Sequence, residues 1–248
     1  MTPLPYEDAA RMRPFSDAKI VDSWFKNALA WTIAVREKHI ESRRLVTDQA
    51  IVDAILSRSP RSVLDIGCGE GWLARELSRH AIHVEGIDAI PELIQQAQNA
   101  GKGNFRVASY EDIAAGKFKA SADTAVCNFA LLGKQSVEAV FAALPSLLNP
   151  YGSFIVQALH PVVMYGDLPY QDGWRRGSWD GFSADFTDPA PWYFRTLGSW
   201  MKLFTRTGTG FRVLEIREPC HPKTHKPVSI IFIAEAAAAH QAAAGISR

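Results

Sequence analysis

Between residues 60 and 160 short apolar runs alternate with longer stretches of helical spacing. SVLDI, HVEGID, NFRVA, DTAVCNF and SFIVQAL are compact and apolar, the pattern of strands buried on both faces. WLARELSRH, PELIQQAQNA and SVEAVFAALPSLL place apolar side chains three and four apart and predict helices. The second of these opens on a proline suited to a first helical turn. Strands alternating with helices predict an α/β fold whose parallel sheet is covered on both faces. Upstream, residues 17–40 carry Ile20, Trp24, Ala28, Trp31 and Val35 at helical spacing. Thr47 is placed to cap a second helix, DQAIVDAILSR, which stops before Pro60. Downstream, TLGSWMKLFTRTG reads as a helix and FRVLEIRE and VSIIFIAEA as strands. Their linker, PCHPKTHK, is short enough for an antiparallel pair at the sheet edge.

Residues 161–200 break this rhythm. They are rich in Gly, Pro, Asp and aromatic residues, show no period, and are too long for an ordinary connection, which marks a cover or binding loop. The expected layout is a helical lid (1–58), a nucleotide-binding core (59–160), a substrate-covering insertion (161–200), a helix with edge strands (201–235) and an alanine-rich tail (236–248).

Composition excludes several classes. The chain has 248 residues, 47% hydrophobic and 21% charged, enough to bury a core. A formal net charge of +1 gives no general attraction to nucleic acid or anionic membrane, and neither is expected as a partner. No apolar run nears the roughly 20 residues of a membrane span, and the first residues lack the pattern of a secretory signal. Three widely spaced cysteines argue against a disulfide framework, so a reducing cytoplasm is expected. Nothing in the sequence fixes the oligomeric state.

The chemistry is concentrated at VLDIGCGEGW, residues 63–72. Three glycines at alternating positions follow an apolar run holding Asp65, and Asp88 closes the next strand 23 positions later. A strand, a glycine-rich turn and a helix start cradle a nucleotide-like ligand at the carboxyl ends of the strands, and the later acid suits ribose hydroxyls. That much fits a nicotinamide dinucleotide or S-adenosylmethionine. In the dinucleotide fingerprint the helix start faces a pyrophosphate, but here the third glycine comes one residue early and Trp72 stands in the last position. A carboxylate at 65 would repel a pyrophosphate and attract an ammonium. The loop suits a cation-bearing nucleoside.

Residues 61–160 resemble the class I S-adenosylmethionine-dependent methyltransferases that act on small molecules. VLDIGCGEG resembles the family's first motif, VEGID its second, ASYEDI its adenine-contact segment and DTAVCNFAL its fourth-strand motif. The resemblance implies a Rossmann-like, doubly wound seven-stranded sheet. It implies that Asp65, Gly67, Cys68 and Gly69 hold the methionine part and that Asp88 holds the ribose. Ala89, Ser109, Tyr110 and Glu111 would lie about the adenine, although the family often has Asp where Ser109 stands. Backbone near Asn128 and Phe129 would pass under the sulfonium, and Trp31 and Arg36 of the lid would complete the donor site. A methyl donor of this kind is already activated, so positioning supplies much of the catalysis.

The acceptor is less legible. His160 ends the fifth strand and is placed to act as a general base toward a hydroxyl or amine. In the insertion Tyr165, Trp174, Trp179, Trp192, Tyr193 and Arg195 are candidates to wall a pocket for a planar or carboxylate-bearing molecule, or to form the loop's own mini-core. Cys220, His221 and His225 sit close enough to suggest zinc, but no second cluster supplies a partner and no metal is expected. The competing readings are a tRNA or protein methyltransferase, a non-catalytic binding protein and a nicotinamide oxidoreductase.

Overall fold

The computed structural model of the chain describes residues 13–206 and 210–237. Its strands are β1 (Ser62–Ile66), β2 (His83–Asp88), β3 (Asn104–Val107), β4 (Ala122–Asn128), β5 (Leu148–Ala158), β6 (Gly173–Arg175), β7 (Trp192–Phe194), β8 (Phe211–Arg217) and β9 (Ile230–Ala236). Its helices are α1 (Asp17–Arg36), α2 (Asp48–Leu56), α3 (Trp72–Ser78), α4 (Pro91–Ala100), α5 (Tyr110–Ala114), α6 (Gln135–Ala143), α7 (Pro161–Met164) and α8 (Leu197–Thr205). Seven strands form one sheet in the order β3-β2-β1-β4-β5-β9-β8. The first five are parallel, and β9 runs antiparallel between β5 and β8. This is the predicted α/β architecture with its edge pair. The order reverses between β1 and β4, which is where such a sheet opens a crevice at its carboxyl ends.

Alternation along the central strands explains why both faces are buried. Leu64, Ile66, Ala125, Cys127 and Phe154 point to one face, where Phe154 and Phe204 pack edge-on or tilted about Phe141. Val63, Val126 and Ile155 point to the other, against Ile51, Ile55, Leu73 and Leu77. Each Val, Leu, Ile or Phe among them contributes about 1.5–3 kcal/mol on burial. Among the described residues no helix is long and apolar enough to cross a membrane.

Four local expectations are corrected. The first helix ends at Arg36 rather than near 40, because Lys38 takes a left-handed φ of +58° and reverses the chain. Thr47 does not cap α2: it is helical (φ −76°, ψ −29°) inside a π-helical turn, Arg43–Thr47, that runs straight into α2. Turns of this kind are rare and gather at functional sites. The helix before β5 gives way at Leu144–Leu147 to a 3-10 turn, since Pro145 has no N–H to continue it. The insertion is not structureless. It begins with α7 and pairs β6 with β7, Trp174 opposite Tyr193. The tail from residue 238 lies outside the described residues.

Candidate functional site

β1 delivers the chain into residues 67–71, where Gly67, Gly69 and Gly71 have φ of +77°, +56° and +81°. The amides of Gly67 and Cys68 donate to the Ile87 carbonyl at 2.8 and 3.0 Å, and that of Gly71 to Cys68 at 3.1 Å. The Gly69 amide donates to Asp88 Oδ2 at 3.0 Å. The loop is thus folded onto the end of β2, and these amides are already spent inside the protein. A pyrophosphate would need them free. Asp88 Oδ1 also accepts from the Ile90 amide at 2.9 Å, so Asp88 ties the loop to the entry of α4, whose N-cap position is Ile90 itself.

A cavity of about 170 Å³ lies over this loop, lined by Gly67, Gly69, Asp88, Ala89, Tyr110, Glu111, Asn128, Phe129 and Trp31. The crevice predicted from the strand order therefore gathers nine of the residues singled out from the sequence. The Tyr110 hydroxyl donates to the Ala130 carbonyl at 3.0 Å, and burial pushes its pKa well up. Phe129 has φ +55°, a conformation costly for a side chain of its size, and its amide is held by the Gln157 carbonyl at 2.8 Å. Asn128 Oδ1 is buried without a partner. Ser109 stands apart: its side chain caps α5, accepting from the Asp112 amide at 3.1 Å in a closed capping box, and it does not line the cavity. Cys68 is buried, and burial raises its thiol pKa well above the usual value, so it has no thiolate chemistry.

Asp65 sits behind the loop, 2% exposed. Among the described residues no donor bonds to its carboxylate. Burial, and next the charge of Asp88, push its pKa up to about 7, while Arg43 pulls the other way. A buried acid without a partner is a costly arrangement unless a cation completes it. Arg43, missed from the sequence, belongs to the π-helical turn. Its guanidinium lies over Trp72 at 4.7 Å and Trp31 at 5.7 Å, and its Nε donates to Asp48 at 2.9 Å. Its Nη2 is buried and unpartnered. The only sequence signal was a pair of arginines before a helix, which ordinarily means a solvated face. Arg36, the residue expected here, instead bonds Glu70 at 2.9 Å and Gln96 on the outer side of α1, away from the loop cavity.

A second cavity of about 330 Å³ adjoins the first through Trp24, Trp31, Gly67, Gly69, Asn128 and Phe129. Trp179, Trp192, Tyr193 and Arg195 of the insertion form its far wall. Two residues expected there are elsewhere. Trp174 packs edge-on against Tyr193, and Tyr165 against Tyr170, outside the lining. His160 is also turned away: its Nε2 lies 2.6 Å from Glu218 Oε1, while its neighbours Leu159 and Pro161 face the cavity. The strand end positions residue 160 at the mouth, but the proline that follows aims the imidazole toward β8. His221 likewise folds on its own turn, its Nδ1 accepting from the Lys223 amide at 3.2 Å.

The insertion and α1 form one cover, which sequence alone did not reveal. Asn27 bonds both backbone groups of the loop at Thr187, at 2.7 and 2.8 Å, and Ser23 donates to the Asp188 carbonyl at 2.6 Å. Lys19 and Lys26 pair with Asp188 above them. Trp24 meets Trp179, and Trp31 stacks with Phe182. At its other end α1 is pinned by Asp17, which accepts the Lys134 and Ser136 amides at 2.7 Å at the start of α6.

With this geometry in hand, the comparisons with known proteins are specific. A family model described as a methyltransferase domain matches residues 38–215. The chain is 35% identical over 103 residues to the ubiquinone biosynthesis O-methyltransferase of Xanthomonas euvesicatoria pv. vesicatoria, covering 40% of this chain and 43% of that protein. It thus spans less than half the length of the curated relatives it matches. Among solved structures it resembles an S-adenosylmethionine-dependent methyltransferase from Mesorhizobium loti, with a TM-score of 0.56, 21% identity and coverage of 74% and 96% of the two chains. It also resembles the 1,6-didemethyltoxoflavin-N1-methyltransferase of Burkholderia thailandensis, solved with S-adenosylhomocysteine, with a TM-score of 0.60, 19% identity and coverage of 96% and 92%. At such identities the structural likeness speaks for the fold.

Proposed function

The chain belongs to the methyltransferase domain family, and on that premise we propose that it transfers a methyl group from S-adenosylmethionine to an oxygen or nitrogen of a small molecule. The observation that carries this reading is Asp65, a buried carboxylate without a partner among the described residues, beside a glycine loop whose amides are already used. That combination fits an α-ammonium and rejects a phosphate. When bound, the donor supplies an activated methyl on a sulfonium. Asp65 holds the ammonium, Asp88 the ribose hydroxyls, and Ala89, Tyr110 and Glu111 the adenine. The strained backbone at Phe129 borders the sulfonium. Arg43, aimed at the same end of the loop with a free buried Nη2, holds the carboxylate in place of Arg36.

The curated relative named above is an O-methyltransferase, which supports transfer to oxygen. An acceptor of small size is favoured because α1 and the insertion are bolted together over the second cavity. We assign His160 to fastening the exit of β5 to Glu218 rather than to proton transfer.

Calorimetry tests the donor assignment: S-adenosylmethionine and S-adenosylhomocysteine bind, and NAD does not. Release of S-adenosylhomocysteine from a panel of small acceptors tests the transfer. A protein that binds NAD and neither adenosyl compound refutes the proposal. Arg43→Met is expected to weaken S-adenosylhomocysteine binding about 10- to 100-fold, the worth of a charge-assisted hydrogen bond. Arg36→Ala is expected to change it by less than about twofold, because Arg36 lines neither cavity and the buried Glu70 carboxylate keeps its bonds to Arg75. Equal effects of the two substitutions would remove Arg43 from the donor site.

A further inference from the structure

The wall of the second cavity has an unusual chemical balance. Among the described residues it carries no carboxylate and no imidazole, and its only charged side chains are Arg43 and Arg195. Arg43 faces the loop end. Arg195 stands in the wall built by the insertion, 4% exposed, with its guanidinium over the rings of Tyr193 at 4.9 Å and Trp200 at 5.5 Å. One nitrogen, Nη2, donates to the Lys134 carbonyl at 3.1 Å, and Nη1 is buried with no partner among the described residues. Among the described residues Arg195 makes no ion pair. Glu138, Asp172 and Asp17 act on it from a distance, Lys134 lies beside it, and burial lowers its pKa, though an arginine stays protonated. A buried cation with unused N–H groups is completed by an anion, and a planar guanidinium lying over aromatic rings suits a flat one.

The same wall constrains the reaction. Among the described residues that line this cavity no carboxylate or imidazole base is placed to take a proton from the acceptor: His160 is bonded to Glu218 outside the lining, and burial raises the pKa of the Cys68 thiol. An acceptor that arrives ionised needs none. Resting on the methyltransferase reading above, we propose that the acceptor is a planar conjugated acid bound as its anion. Its ionised hydroxyl faces the donor, and a second oxygen sharing the charge lies on Arg195. A lone pair of the acceptor oxygen forms the O–CH3 bond while the S–CH3 bond breaks, its electron pair going to sulfur. Anion and sulfonium become neutral ether and neutral thioether, and no proton moves. Charge is annihilated in this step, so an aromatic, water-poor cavity favours it. Arg195 is then the residue that selects acceptors by charge.

The test is equilibrium dialysis at pH 7.5 with the protein saturated in S-adenosylhomocysteine. The probes are matched pairs: 2-hydroxy-1,4-naphthoquinone with its methyl ether, 4-nitrophenol with 4-nitroanisole, and 1-naphthoic acid with its methyl ester. The ionised member of at least one pair is expected to bind about tenfold tighter than its neutral mate. That preference should fade as pH falls through the compound's own pKa. Arg195→Met should abolish it and Arg195→Lys restore part of it. Neutral members binding as well as or better than the anions, a preference that survives Arg195→Met, or no retention of any probe overturns the inference. Calorimetry with S-adenosylhomocysteine is run alongside on each protein. Loss of that binding in the wild type refutes the methyltransferase reading itself, whereas intact donor binding without anion preference refutes only the charge selection. The wild-type pairs decide the matter even where a variant fails to fold.

Discussion

Asp65→Asn is expected to weaken S-adenosylhomocysteine binding by about 100-fold or more, the cost of leaving a buried cation without its counterion. The amide keeps the shape of the carboxyl group, so the loss reports charge. The wild-type protein should also show a proton linkage that the variant lacks. Without ligand, Asp65 has its pKa pushed up to about 7, by burial first and by Asp88 second, and is mostly protonated at pH 6. An ammonium at this site draws it back to carboxylate, so binding expels a proton. Affinity should therefore climb with pH, approaching about tenfold per unit well below pH 7, and level off above it. Calorimetry between pH 5.5 and 8 reads both the affinity and the proton release. A flat profile in the wild type, or an unchanged affinity in the variant, removes Asp65 from the donor site.

Stability should move the opposite way. The native carboxyl holds its proton more tightly than the unfolded one, whose pKa is about 3.9. The unliganded protein thus loses stability as pH rises from about 4 to about 7, and the loss is complete above that. Asp65→Asn escapes it, so the free variant should melt higher than the free wild type at pH 8 and close to it at pH 4. A site that is expensive when empty and satisfied by its ligand is a common trade of stability for function.

Gly67→Ala is expected to be the most damaging single methyl group in the core of the site. The backbone there has φ +77°, and an added Cβ would lie 2.4 Å from the Cβ of Ala130. Left-handed backbone costs a non-glycine residue about 1–2 kcal/mol, and overpacking adds about 1–3 kcal/mol. For a domain of this size that lowers Tm by about 5–15 °C. The clash can be relieved only by moving the loop or residues 129–130, and both line the donor cavity. Donor affinity should therefore fall along with stability. A variant with unchanged Tm and unchanged S-adenosylhomocysteine binding would mean that the loop is looser than its hydrogen bonds to Ile87 imply.

Much of this site lies open in the sequence because its parts are local. A glycine spaced two residues from an acid, and a second acid at the end of the next strand, are set by strand length and loop geometry within some thirty residues. Parallel register then brings Asp65 beside Gly86 and Val126. Asn128 and Phe129 follow at the end of β4, and Tyr110 and Glu111 in the helical turn just after β3, for the same reason. Ser109 misled because serine before an acidic helix start is equally a capping signal, and capping is the role it takes. Arg36, expected at the donor site from the resemblance alone, closes α1 on a face that meets Glu70 and Gln96.

By itself, then, the amino-acid order determined the alternating α/β scaffold, its antiparallel edge and the glycine loop with its two acids at the strand ends. Those follow from periodicity and from contacts between near neighbours, whose energetics a short window contains. Only the tertiary structure decided which arginine lies over Trp72 and Trp31, where His160 points, and how the aperiodic insertion becomes a wall. These depend on contacts such as Asn27 with Thr187, 160 positions apart, where a few buried hydrogen bonds and stacked rings fix the geometry and no local pattern announces them.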